Sequence, residues 1–166
     1  MTEPTASDDA LLLDNQLCFL IYRLHRGMTD LYRPVLTALG LTYPQYLVML
    51  TLWEHSTLTV GQIGAKLHLD SGTLSPLLKR LEAAGFVRRE RAQGDERSVE
   101  VSLTKQGRDL RRKARTVPRA VGGCLVGSAE QADEVREQLL ALVERVDAAR
   151  APPPRPSECR VTLSAN

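Results

Sequence analysis

Cys18, near the start of the chain in the run Leu13-Asp14-Asn15-Gln16-Leu17-Cys18, is the residue best equipped for chemistry. A thiolate is a nucleophile that attacks peroxides and is oxidised first to a sulfenic acid. Tyr22 lies four residues further on, so on a helix it shares the face of Cys18 and sets a phenol beside the sulfur. Cys124 and Cys159 stand singly, and no Cys-x-x-Cys pair is present. His25, His55 and His68 show no paired ligand spacing, so no metal is assigned and no cofactor is expected. Nothing in the chain approaches the roughly 18 to 20 uninterrupted apolar residues of a membrane helix. Met1-Thr2-Glu3-Pro4 lacks the basic and then apolar layout of a secretory signal. A cytoplasmic location follows as the expectation. Thiols are kept reduced there, so any bond these cysteines form is transient and not part of a structural framework.

The second chemical feature is charge. Residues 79–119 carry 13 Lys and Arg against 6 Asp and Glu, while the rest of the chain carries 9 against 14. A basic segment of this kind neutralises phosphates and releases their counterions, which gives affinity for nucleic acid irrespective of sequence. Charge by itself leaves an ordinary solvated helix face equally open.

These residues need elements to hold them. With 166 residues, 43% hydrophobic and 25% charged, the chain fits one well-buried domain with tails. Residues 1–9 read as a polar, frayed start. From about Ala10 the apolar positions Leu13, Leu17, Leu20, Ile21, Leu24 and Met28 recur at helical spacing. Leu39-Gly40-Leu41 reads as a stop. Thr42 with Gln45 three residues later reads as a capping box opening the next helix, with Pro44 in its first turn.

Leu58-Thr59-Val60 then leads into a short helix from Gly61 to about His68, a turn at Leu69-Asp70, and a second helix from Ser71 carrying Leu74, Leu77, Leu78 and Leu81. Two short helices with a tight connection make a helix-turn-helix unit, whose second helix enters the major groove. Ser71, Thr73 and Ser75 offer small hydroxyls at its start, and Lys79 and Arg80 add charge further along. A plain helical hairpin capped by Asp70 or Ser71 accounts for the same pattern. The next segment weighs against that alternative. Gly85 ends the helix, 86–91 reads as a strand, 92–97 as a turn and 98–103 as a second strand, a β-wing. Arg88 on the hairpin and Arg97 near its tip are candidate DNA contacts, Arg97 in a minor groove, with Asp95 bracing the turn.

Thr104 reads as the N-cap of a basic helix from Lys105 to about Ala120, interrupted near Pro118 and ended by Gly122-Gly123. A last helix from about Ala129 to Ala149 carries Val135, Leu139, Leu142, Val143 and Val146 on one stripe. The fold class is mainly α with a small β-wing (α+β): a domain over 10–150 with a winged helix-turn-helix at about 57–104. The helices at about 10–40 and 105–150 are left to form a homodimer, which would match a palindromic operator in double-stranded DNA. The Pro-rich run over 151–166 reads as a flexible tail.

Taken together, residues 10–150 resemble the MarR family of winged helix-turn-helix regulators, and specifically its organic-hydroperoxide-sensing branch, the OhrR group. The wider family is matched by Leu69-Asp70-Ser71-Gly72-Thr73-Leu74, by Pro76-Leu77-Leu78-Lys79-Arg80-Leu81 and by Asp95-Glu96-Arg97. The branch is matched by Leu13-Asp14-Asn15-Gln16-Leu17-Cys18 together with Leu41-Thr42-Tyr43-Pro44-Gln45-Tyr46-Leu47-Val48-Met49-Leu50.

The resemblance implies a repressor that leaves its operator when an organic hydroperoxide oxidises Cys18. It implies that Tyr32 and Tyr43 reach that cysteine from the partner subunit and hold thiolate and peroxide by hydrogen bonds, with Tyr22 near the same pocket. Some members of the branch resolve the sulfenic acid with a second cysteine of the other subunit and others with a small thiol. Cys124 is the resolving candidate, and Cys159, in the tail, departs from the pattern. Two alternatives stay open: a regulator switched by a phenolic ligand bound around Tyr32 and Tyr43, and a thiol peroxidase. The winged unit and the missing Cys-x-x-Cys count against the enzyme.

Overall fold

The computed structural model describes residues 8–92, 95–125 and 127–150, in two compact units that meet at Gly123 and Cys124. The first contains α1 (Leu17–Thr37), α2 (Tyr43–His55), β1 (Thr57–Thr59), α3 (Val60–Leu67), α4 (Ser71–Ala83), β2 (Val87–Ala92), β3 (Asp95–Leu103), α5 (Lys105–Ala114) and most of α6 (Val117–Leu125). The second holds α7 (Ala129–Arg150).

Two elements begin or end elsewhere than their periodicity predicts. The first long helix starts at Leu17 and not near Ala10; two 3-10 turns, Asp8–Leu11 and Leu13–Asn15, precede it. The side chains cause this. The Asn15 amide donates to the Asp9 carbonyl at 2.8 Å and the Gln16 amide to those of Ala10 and Leu12, competing with the helical ladder. The interruption expected near Pro118 in the basic helix over 105–120 is present and divides it into two helices, α5 and α6, parted at Arg115 and Thr116. Pro118 has no N–H to give the Ala114 carbonyl and sits naturally in the first turn of a new helix. Gly122 and Gly123 do not end that helix; neither adopts a positive φ, and α6 runs on to Leu125.

The other expected caps follow the sequence. Thr42 N–H donates to Gln45 Oε1 at 2.8 Å, and a second, reciprocal box that the sequence reading passes over, Thr59 with Gln62, opens α3 at Val60. Asp70 caps α4 and Thr104 caps α5. Gly85 leaves α4 at φ +76°, a backbone that L side chains rarely adopt.

The sheet is three-stranded and antiparallel in the order β1-β3-β2. β1 pairs with β3 through Thr57 opposite Ser102, and β2 through Arg88 opposite the same Ser102. Three residues are too few to show alternation, so the sequence reading passes over β1. β3 begins at Asp95, inside the turn expected over 92–97.

One core joins these pieces: Leu36 of α1, Tyr46, Met49 and Leu52 of α2, Ile63 of α3, Leu74, Leu78 and Leu81 of α4, Val101 of β3 and Leu110 of α5. Trp53 crosses it, its indole N–H donating to the Gly107 carbonyl at 2.8 Å and so tying α2 to α5. Only the C-terminal part of α1 is anchored this way, through Tyr32, Val35 and Leu36. No helix among the described residues is long and apolar enough to cross a membrane.

Candidate functional site

The helix-turn-helix is built on a close approach. A Cβ on Gly64 would stand 2.8 Å from the Leu69 carbonyl oxygen, so only glycine lets α3 turn this tightly into α4. His68, at φ 52°, makes the left-handed turn that ends α3. Asp70 then receives α4: its Oδ1 accepts from Thr73 N–H and its Oδ2 from the Thr73 hydroxyl, both at 2.9 Å. The Thr73 backbone N–H, followed by its hydroxyl, holds the Asp70 carboxyl below the usual carboxylate range.

Leu74, Leu78 and Leu81 bury the inner face of α4. Ser71, Thr73, Lys79 and Arg80 are exposed and Ser75 is half-buried, so the hydroxyls and cations that the sequence assigns to DNA lie off the core. The Thr73 hydroxyl hydrogen is already committed to Asp70. It approaches a ligand as an acceptor or after breaking that bond.

The wing is fastened to α4 by a pair that the sequence reading does not single out. Arg89 Nε and Nη2 donate to Glu82 Oε2 at 2.8 and 2.6 Å, and Arg89 N–H donates to Glu82 Oε1 at 3.1 Å. The Arg89 side chain holds the Glu82 carboxyl below its ordinary value. The available signal was the acid on the last turn of α4 followed seven residues later by a base on a strand. The neighbouring Arg88 is exposed, pairs with Glu90 at 3.1 Å, and looks to the other face of the sheet. Asp95 and Arg97 stand at the beginning of β3, and their side chains lie outside the described part of the structure.

Cys18 is exposed in the first turn of α1. Tyr22 stands one turn along, where its hydroxyl accepts from Arg26 Nη1 at 3.2 Å, so thiol, phenol and guanidinium follow one row at four-residue spacing. Tyr32 and Tyr43 come together with ring centroids 4.8 Å apart, and a third ring, Tyr46, lies 6.1 Å from Tyr32. Tyr46 is missing from the sequence-derived pocket because its helical position reads simply as core. Burial, and then Tyr43, pushes the Tyr32 phenol up; burial, then Tyr32 and Tyr43, does the same to Tyr46. Both stay protonated and able to donate. Within one chain the cluster and the thiol are far apart. Fourteen residues of α1 separate Cys18 from Tyr32, about 21 Å of helix axis at 1.5 Å per residue.

Cys124 falls in the last turn of α6 with its side chain outside the described part, and Cys159 and the tail over 151–166 lie outside the described residues.

Known proteins carry the same pattern. The SarA/Rot transcriptional regulator family matches residues 30–113. The organic hydroperoxide resistance transcriptional regulator of Bacillus subtilis (strain 168) is 48% identical over 136 residues, 82% of this chain and 92% of that protein. Among solved structures, reduced AbfR bound to DNA is 37% identical with a TM-score of 0.75, over 87% of this chain and 99% of that one. The disulfide-formed AbfR is 40% identical with a TM-score of 0.57, over 82% and 96%. The chain belongs to the MarR/SarA-type family of winged helix-turn-helix transcriptional regulators, in its organic hydroperoxide resistance branch.

Proposed function

We propose that residues 10–150 act as a homodimeric, redox-controlled repressor, bound to palindromic operator DNA when reduced and released when an organic hydroperoxide oxidises Cys18. The observation that carries this reading is an exposed thiol at the free end of a helix whose other end is locked into the core of the DNA-reading unit. The Cys18 thiolate attacks the outer peroxide oxygen and the O–O bond breaks. The alkoxide leaves and takes a proton, and the sulfur, oxidised by two electrons, becomes a sulfenic acid. A second thiol condenses with the sulfenic acid to a disulfide with loss of water, and a further thiol returns Cys18, so each cycle spends one peroxide and two thiols. The reading is of a sensor because its output is operator occupancy.

Surface chemistry supports the dimer. Leu17, Leu20, Ile21, Leu24 and Leu31 on α1 and Val135, Leu139, Leu140, Val143 and Val146 on α7 are each 41–59% exposed. At about 1.5–3 kcal/mol per fully buried side chain, half-burial of these residues in both subunits yields roughly 20 kcal/mol gross, more than the roughly 4–15 kcal/mol lost on association. In this reading the tyrosines that meet Cys18 are the partner's, because the chain's own Tyr32 and Tyr43 are kept distant from the thiol. AbfR, solved both reduced on DNA and with a disulfide formed, supports a thiol switch on this fold.

Free-thiol titration before and after one equivalent of cumene hydroperoxide, read beside operator binding, tests the reading. Loss of thiol together with loss of binding is expected. Release by a phenolic compound with every thiol intact would replace it with the non-covalent alternative.

A further inference from the structure

On the sheet face turned away from α4, Thr57, Ser102 and Arg88 form one cross-strand row, as their pairing register requires. Above this row α5 brings Arg108 and Arg111, three residues apart and therefore neighbours on its surface. A cleft of about 420 Å³ lies between them, with Trp53 and Ser56 also in its wall. Three guanidiniums and three hydroxyls line it, with no carboxylate. Arg88 spends one nitrogen on Glu90 and Arg108 one on the Leu103 carbonyl, which leaves donors on both. Arg111 has no acidic side chain within ion-pair distance among the described residues.

Among the described residues only Arg88 of the three guanidiniums has a carboxylate partner, Glu90, and guanidinium forks match carboxylate and phosphate oxygens. The volume exceeds that of an inorganic ion and suits a small organic molecule. We propose that this cleft binds a small organic anion through a carboxylate or phosphate group, held by Arg88, Arg108 and Arg111 above the hydroxyls of Thr57 and Ser102. Arg88 is then a ligand of that anion and not a contact of the operator. The recognition helix lies across the sheet, where Arg89 meets Glu82. The site is independent of the peroxide switch and does not use Cys18.

Trp53 is the only tryptophan of the chain and lies in the wall of the cleft, so its emission reports occupancy. The experiment titrates the reduced full-length dimer with benzoate and, separately, with phenyl phosphate, at constant ionic strength against sodium chloride. A saturable change is expected for at least one probe, weakened tenfold or more in Arg111→Gln and in Arg88→Gln but kept in Arg112→Gln, an exposed α5 residue outside the cleft. The tighter probe identifies the head group. A change that matches chloride, or one equal in Arg111→Gln and Arg112→Gln, overturns the proposal. So does Arg88→Gln weakening operator binding while leaving the probe response intact, since that returns Arg88 to the DNA.

Discussion

Glu82, on the last turn of α4, and Arg89, on β2, are joined by two side-chain hydrogen bonds to one carboxylate oxygen and a backbone one to the other. The second helix of the helix-turn-helix and the wing are thus held at a fixed angle by one acid and one base, each about a third exposed or less.

Glu82→Gln removes the charge but keeps the shape. The expected loss is about 1 kcal/mol of stability, because partial exposure screens the pair, with weaker operator binding as the wing loosens. Its pH dependence has a definite sign. The folded-state value of Glu82 lies below its ordinary 4.5, so the stabilisation is present above that pH and fades as pH falls through it. Melting curves should show wild type and Glu82→Gln converging toward acid pH; a gap that widens there contradicts the assignment.

Gly64→Ala drives a methyl to within 2.8 Å of the Leu69 carbonyl. The helix-turn-helix must open to accommodate it, at roughly 1–3 kcal/mol. Urea denaturation should show that loss together with weakened DNA binding; a neutral variant would mean that the turn is looser than described.

Arg97→Ala and the α4 hydroxyl variants should behave differently. Removing one cation from the wing should lower affinity for every sequence and reduce the salt slope by about one. Ser75→Ala should instead change preference among operator variants. Thr73→Ala should do so with an added stability loss, because Thr73 also bonds Asp70. Fluorescence anisotropy across a salt series separates them, and an unchanged slope for Arg97→Ala would take the wing off the DNA.

Legibility from sequence followed the range of the interaction. The Thr42 and Gln45 box, the Asp70 cap and the α4 stripe are local, three or four residues apart, and were readable. The break before Pro118 was readable from its missing N–H, but the boundary near Gln16 depended on side chains capturing carbonyls, which periodicity averages away. Glu82 with Arg89, the third ring Tyr46 and the face taken by Arg88 depended on how strands register against helices. The sequence pattern marks those residues as acid, core and base, without saying whom they meet.

The resolving thiol is settled by a gel. If Cys124 resolves Cys18 between subunits, oxidised protein runs as a covalent dimer without reductant, Cys124→Ser abolishes that band and Cys159→Ser keeps it. The opposite pattern makes the tail the resolving arm, and no band in any variant places the protein with regulators that require a small thiol.

The central claim is that oxidation of Cys18 is what releases DNA. Operator binding by Cys18→Ser, followed by fluorescence anisotropy before and after one equivalent of cumene hydroperoxide, tests it directly. The variant should bind as tightly as reduced wild type and stay bound when wild type dissociates. Dissociation of Cys18→Ser at the wild-type peroxide dose would contradict the account.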